Sequence, residues 1–247
     1  MRATQFPTRL LASLLSWLGL VNLCRADAFD DAARLYERGQ ASEAASAYED
    51  LLQAKGPSFP LLYNLGNAHF RAGNAGKALW AYREAEHLNP WDSDTQANIS
   101  TVLVHFNLPQ PKGFVESTIR HLPLGTTGWI TLGLTAATSV LMTFSLWNPG
   151  LYQRTTSFRW LAGIASVVAW SAYSTALWNH FTGPNAIVIA RDASVRHGPL
   201  EEAPAAYPAP DGSELRIIGI RREWYHVKDA SGRQGWIAQI QLKRLMP

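Results

Sequence analysis

The sequence predicts a multidomain chain: an α-helical repeat solenoid, a two-helix transmembrane hairpin and a small all-β barrel. Three observations carry this. Residues 25–92 repeat themselves at a spacing of 34. Two uncharged apolar stretches of matching length follow. After residue 185, short β-prone runs alternate with turn pairs. Of the 247 residues, 17% are charged, and they are unevenly placed. Between Val115 and Arg191 the only acid is Glu116, and between Arg120 and Arg191 only Arg154 and Arg159 are charged. A formal charge of +3 without a clustered basic face argues against nucleic acid. The composition also excludes a disordered tail protein and a disulfide scaffold.

Residues 1–28 read as a secretory signal peptide. Arg2 and Arg9 precede an apolar run from Leu10 to Leu23, and Ala26-Asp27-Ala28 offers small residues for cleavage. An uncleaved anchor helix is the alternative. The single cysteine, Cys24, lies in this segment, so cleavage leaves a chain without thiols, suited to an oxidising compartment.

Residues 29–106 form the predicted helical domain. Gly66, Ala78, Tyr82, Ala85 and Pro90 recur 34 residues earlier as Ala32, Ala44, Tyr48, Leu51 and Gly56, and Gly73 recurs as Gly39. Small residues recur where helices must approach closely, and an aromatic recurs where a gap must be filled. A third helix, Ser93 to Phe106 with Asp92 or Ser93 as N-cap, closes the stack. The stretch Tyr63 to Pro90 resembles the tetratricopeptide repeat (TPR), which implies two repeats plus a capping helix. Such short arrays need about three units for stability, so a neighbour, self-association or the membrane must support this one. The resemblance implies a peptide groove lined by Tyr63, Asn67, Phe70 and Asn98. One Asn amide can both donate to and accept from an extended backbone. Asn67 and Asn98 match the Asn pair of repeat modules that clamp a C-terminal carboxylate. The lysines of such clamps have no counterpart, since Pro60 and Tyr63 stand in their places.

Residues 107–126 are a linker. The spans are predicted at 127–148 and 159–179, joined by a loop at 149–158. Trp129 to Trp147 and Trp160 to Trp178 are each 18 steps apart. That is about 27 Å of helix, near the roughly 30 Å of a bilayer core. Tryptophan at both ends suits the two interfaces. Gly133 and Ala137, Ala162 and Ser166, and Ala165 and Ala169 are spaced four apart, as small residues are where helices approach closely in lipid. Arg154 and Arg159 place the loop on the cytoplasmic side. The export signal places residues 29–126 outside, and the C-terminal part follows.

Residues 185–247 read as the barrel. Its strands are expected at Ala186–Ala190, Ser194–His197, Glu214–Arg221, Trp224–Lys228, Gln234–Ala238 and Ile240–Leu242. Pro199 to Pro210, with four prolines, is expected to be an ordered loop with no ladder role. Val195-Arg196, Gly198-Pro199, Asp211-Gly212, Glu223-Trp224-Tyr225-His226-Val227 and Gly232-Arg233-Gln234-Gly235-Trp236-Ile237 together resemble a bacterial SH3-like domain. This implies peptide or cell-wall binding, with Trp224, Tyr225 and Trp236 as candidate contact residues.

No nucleophile elbow, phosphate loop, dinucleotide glycine set or zinc helix motif occurs in the sequence. The seven His are scattered without ligand spacing. The expectation is therefore no enzyme, no cofactor and no metal. As a whole the order of parts resembles the BatE-like TPR proteins of bacterial aerotolerance operons. That resemblance implies an inner-membrane scaffold with both modules periplasmic, acting in envelope stress tolerance or complex assembly. Its implied partners are von Willebrand factor A-type membrane proteins and a MoxR-type ATPase. Two modules flanking one anchor suggest holding a partner by effective concentration. The rival expectation is a peptidoglycan-binding envelope protein.

Overall fold

A computed structural model describes residues 28–109, 124–147, 155–182 and 185–246. Residues 1–27 of the expected signal peptide, the middle of the 107–126 linker and most of the 149–158 loop lie outside the described residues.

Five helices form the first layer: α1 (28–37), α2 (Ala41–Lys55), α3 (Phe59–Arg71), α4 (Ala75–Leu88) and α5 (Ser93–His105). Each packs on the next along the chain from α2 onward. The turns that separate them repeat with the sequence. After α1, Gly39 takes a φ of 83°, its N–H donates to Tyr36 O, and the Gln40 N–H donates to Leu35 O. After α3, Gly73 (φ 75°) donates to Phe70 O and Asn74 to His69 O. After α5, Asn107 (φ 53°) donates to Val104 O and Leu108 to Leu103 O. The three left-handed residues stand 34 apart. Glycine adopts this conformation without strain, and Asn tolerates it better than most residues.

Packing explains the recurrent small residues. A Cβ on Gly66 would meet the Tyr82 ring at 2.6 Å. In the earlier copy Ala32, Ala44 and Tyr48 are buried, as are Ala78, Tyr82 and Ala85 in the later one. Asp92 is the N-cap of α5, accepting from the Thr95 N–H at 2.8 Å and from its hydroxyl at 2.6 Å.

Two longer helices follow: α6 (Leu124–Trp147) and α7 (Thr156–Thr182). Both are long and apolar enough to cross a membrane. Only 11% and 6% of their apolar windows are buried, unlike the core helix of a soluble domain. The terminal Trp129, Trp147, Trp160 and Trp178 are all exposed. The two helices meet through hydroxyls. Thr138 Oγ1 lies 3.0 Å from Ser166 Oγ, and Trp170 Nε1 donates to Thr135 Oγ1 at 3.0 Å. Thr131 Oγ1 reaches Ala169 O at 3.4 Å. Of the small-residue pairs expected at this seam, Ala162 and Ser166 do lie on it. Gly133, Ala137 and Ala165 face outward, because threonines take the close positions on α6.

The C-terminal barrel has seven strands: β1 (Ala186–Val188), β2 (Ser194–Arg196), β3 (Ala205–Pro208), β4 (Glu214–Arg221), β5 (Trp224–Lys228), β6 (Gln234–Ala238) and β7 (Leu242–Arg244). Their order is β3-β2-β6-β5-β4-β1-β7. Two expectations are corrected. The proline-rich stretch does contain a strand, β3, which pairs with β2. It lies at the sheet edge, where Pro208 leaves no ladder bond unmade. Residues Gln239–Gln241 form a 3-10 turn, so the last strand begins at Leu242 rather than Ile240.

The two modules are docked. Ile187 of β1 belongs to the same apolar core as Leu79, Trp80 and Leu108 of the helical layer. The repeat makes the effect visible. In α2 the burial forms one stripe, and Ser46 and Asp50 are exposed. Their counterparts 34 residues later, Trp80 and Glu84, are buried. Helix α4 is buried nearly all round because the barrel covers its outer face.

Candidate functional site

The predicted groove residues come together on α3 and α5. The Tyr82 hydroxyl donates to Asn67 Oδ1 at 2.6 Å, and Asn98 Nδ2 donates to the same oxygen at 3.2 Å. Both lone pairs of that carbonyl are thereby used. Asn67 Nδ2 remains as a donor and Asn98 Oδ1 as an acceptor. That combination suits the backbone of an extended peptide. Tyr63 stands one helical turn away, edge-on to Tyr82 at 6.1 Å. Phe70 lies one turn in the other direction, edge-on to His105 and Phe106 at 5.4 and 6.1 Å. All four residues are half-buried. Tyr82 was visible in the sequence as a repeat position, but not as the residue that orients Asn67. Burial raises its phenol pKa strongly, so the hydroxyl remains a donor at all ordinary pH.

The barrel residues divide. Strand alternation sends Trp224 and His226 of β5, and Trp236 of β6, to one face. His226 stacks on Trp236 at 4.7 Å. Tyr225 points the other way and packs on the barrel core with Val227 and Ile237. The outward aromatic face is therefore Trp224, His226 and Trp236. His226 was not foreseen, although its alternation with Val227 is legible in the sequence.

A third cluster, between the modules, was missed. Arg83 of α4 holds Glu86 of its own helix and Glu214 of β4, each at 2.9 Å. Burial works against the Arg83 charge, but Glu214 and Glu86 outweigh it and raise the pKa further. Glu84, fully buried, accepts from the Met246 N–H at 2.8 Å. Burial raises its carboxyl pKa against the opposing pull of that bond and of Lys243. Trp80 Nε1 donates to Arg244 O at 2.9 Å, and the Lys243 ammonium sits 3.8 Å from the Trp80 ring centre.

The start of α4 is capped from the barrel. Asn74 occupies the N-cap position, yet its side chain makes no cap bond. Its Oδ1 instead accepts from Arg191 at 3.4 Å. Asp211 Oδ1 takes the cap role, accepting from the Gly76 N–H at 3.0 Å. A Cβ at Gly76 would collide with the Val188 carbonyl, so glycine is required for this approach. Desolvation raises the Asp211 carboxyl pKa despite these bonds. Tyr82 points to α3 while Trp80 and Arg83 point to the barrel, so the docking leaves the Asn67/Asn98 groove uncovered.

Among the described residues no group of three or more His, Cys, Asp or Glu could hold a metal ion.

Comparison with known proteins bears on the barrel first. Residues 190–243 match the family described as "Bacterial SH3 domain". The barrel carries a bacterial SH3 domain. A stretch of 75 residues is also 39% identical to a Pseudomonas aeruginosa protein named "Probable biofilm formation methyltransferase WspC". That stretch is 30% of this chain and 18% of the relative.

Proposed function

We propose that this chain is a non-enzymatic, membrane-anchored scaffold that presents a peptide-binding groove from a rigid two-module body. The observation that carries the reading is the Asn67/Asn98 amide pair, half-buried between α3 and α5, with one donor and one acceptor to spare. The 34-residue recurrence of turns supports a TPR-type array in two repeats with a cap. The apolar helices α6 and α7 supply the anchor. Arg154 between them and Arg159 at the start of α7 favour a cytoplasmic loop and hence periplasmic modules on a bacterial inner membrane. The methyltransferase activity named for the relative belongs to a protein of which this chain matches 18%, and it is not carried over.

The docking changes the tethering idea. The groove and the SH3 domain act as one body with a fixed spacing, not as two modules on flexible links. A partner that touches both is held by geometry. The resemblance in the order of parts points to von Willebrand factor A-type membrane proteins and a MoxR-type ATPase, in envelope stress tolerance or complex assembly.

The test is capture of partners from intact membranes after brief cross-linking, with the wild type and with Asn67→Ala/Asn98→Ala. The scaffold reading expects a defined set of membrane proteins with the wild type and its loss in the double variant. Equal capture by both rules the groove out.

A second reading has its own observation, the outward Trp224, His226 and Trp236 face on a bacterial SH3 domain. Flat aromatic faces suit glycan and peptide stacking, so peptidoglycan is its natural ligand. Co-sedimentation with purified cell wall that is lost in Trp224→Ala would favour it over the groove.

A further inference from the structure

The helical layer has two ends. Short turns reverse the chain at each step, so α1, α3 and α5 begin at the end where α2 and α4 finish. Helix α4 fixes how that end lies against the barrel. Gly76 lies at Val188 and Gly212, Trp80 at Arg244, and Glu84 at Met246. Four helical residues rise about 6 Å, and two strand residues advance about 6.6 Å. Helix α4 thus keeps step with β7 and runs in the same direction. Strand β7 is antiparallel to β1, so α4 heads toward the start of β1. There the Leu245 N–H donates to Asn185 O.

Asn185 is where the chain arrives from α7. That helix ends at Thr182, three peptide steps earlier. Three steps span at most about 11 Å. The end of the two-module body that carries the α4–α5 turn is therefore the end facing the apolar helix. This turn is Asn89-Pro90-Trp91-Asp92, and Trp91 is 68% exposed. Leu88 beside it is 44% exposed, and Met246 at the same end is 38% exposed. A lone exposed apolar residue means little. A tryptophan and a leucine on a turn at the end where the apolar helix joins are a different matter. Tryptophan prefers the headgroup layer, where its ring is half in apolar surroundings and its N–H stays wet.

We propose that the α4–α5 turn rests in the interfacial layer of the membrane, with Trp91 as its anchor. The inference rests on the reading that α6 and α7 span a bilayer. The span and the turn then make two attachments, and together they fix the tilt of the groove over the membrane.

The full chain with Cys24→Ser is reconstituted in nanodiscs of phosphatidylcholine with phosphatidylglycerol. Single nitroxide labels are placed at Leu88→Cys, at Arg38→Cys on the opposite end, and at Val140→Cys in α6. Accessibility to oxygen and to a water-soluble nickel chelate is read for each. The expected result is deep burial at 140, free nickel access at 38, and several-fold protection from nickel at 88. Adding Trp91→Ala should return the label at 88 to nickel access; Trp91 is exposed enough for the fold to tolerate this. Burial at 140 with equal nickel access at 88 and 38 overturns the turn's docking alone. Nickel access at 140 overturns the membrane reading as well. Protection at 88 that appears only on adding other membrane proteins assigns the turn to a protein and also overturns the proposal.

Discussion

Removing the Arg83 side chain should undock the two modules. Its guanidinium is 9% exposed and lies between Glu86 and Glu214, which are 12% and 19% exposed. Arg83→Ala takes away the cation that two largely buried carboxylates share. Breaking a buried ion pair from one side costs about 3–5 kcal/mol. The partial exposure of Glu214 favours the lower figure, about 3 kcal/mol, which is about a hundredfold in the docking equilibrium. Two amides report it directly. The Met246 N–H donates to Glu84 and the Gly76 N–H to Asp211, both across the interface. Gly76 is the second residue of α4, where no intrahelical acceptor exists. Hydrogen exchange at both should accelerate by up to about a hundredfold. The Val188 N–H, bonded to Ser213 O inside the barrel, should stay protected. Replacing the whole triad, Arg83→Met with Glu86→Leu and Glu214→Leu, should restore protection, because apolar side chains of similar volume carry no desolvation cost. Unchanged exchange at Gly76 and Met246 in Arg83→Ala would refute the account of the interface.

Three further outcomes follow from the same contacts. Asp211→Ala removes the cap that the barrel lends to α4; it should cost about 1 kcal/mol in thermal unfolding and free the Gly76 amide. Glu84 has a raised carboxyl pKa when docked, so the docked state binds a proton more readily than the undocked one. Docking should therefore strengthen as pH falls from neutral toward the ordinary carboxyl value of 4.5, and Glu84→Gln should flatten that dependence in a titration of Met246 exchange. Gly66→Ala places a methyl 2.6 Å from the Tyr82 ring and should destabilise the helical layer by about 1–3 kcal/mol, seen as a lowered Tm.

The local parts of the fold were legible because each depends on neighbours in sequence. The strands at Glu214–Arg221, Trp224–Lys228 and Gln234–Ala238 follow alternation and turn pairs, and the structure places them at those bounds. The close contact of Gly66 with Tyr82 follows from recurrence. The third turn of the series was hidden because Asn107 fills the position that glycine holds at 39 and 73. The edge strand at Ala205–Pro208 was hidden by Pro208 and the flanking Pro204 and Pro210, which an interior strand would not tolerate. The Asn67/Asn98 pair came from the tetratricopeptide resemblance and not from the 34-residue register, which aligns Asn98 with Asn64, and the role of Tyr82 in holding Asn67 was visible in neither. The docking was not legible at all. Arg83 and Glu214 are 131 residues apart, and nothing near either one names the other. The nearest signal is the break in the repeat, where Ser46 and Asp50 become Trp80 and Glu84.

That break bears on how the modules can be dissected. The two repeats and a cap proposed for the helical layer fall short of the roughly three units that repeat arrays need. The barrel supplies the missing neighbour. It covers Trp80, caps α4 through Asp211, and neutralises Arg83 through Glu214. Deleting the C-terminal module would therefore uncover an apolar helix face and an unpaired helix terminus, and the groove would lose its support along with any SH3 contact. Loss of a partner in such a truncation could not be credited to the SH3 surface. Substitutions that leave α4 covered separate the two contributions. Asn67→Ala/Asn98→Ala alters the groove with the interface intact, and Trp224→Ala alters the aromatic face with the groove intact. If the two modules hold a partner jointly from one rigid body, each change should weaken capture, and Arg83→Ala should weaken it too while both surfaces keep their own residues. If only one surface binds, Arg83→Ala should spare capture by the SH3 face, which folds around its own core of Val195, Val227 and Ile237.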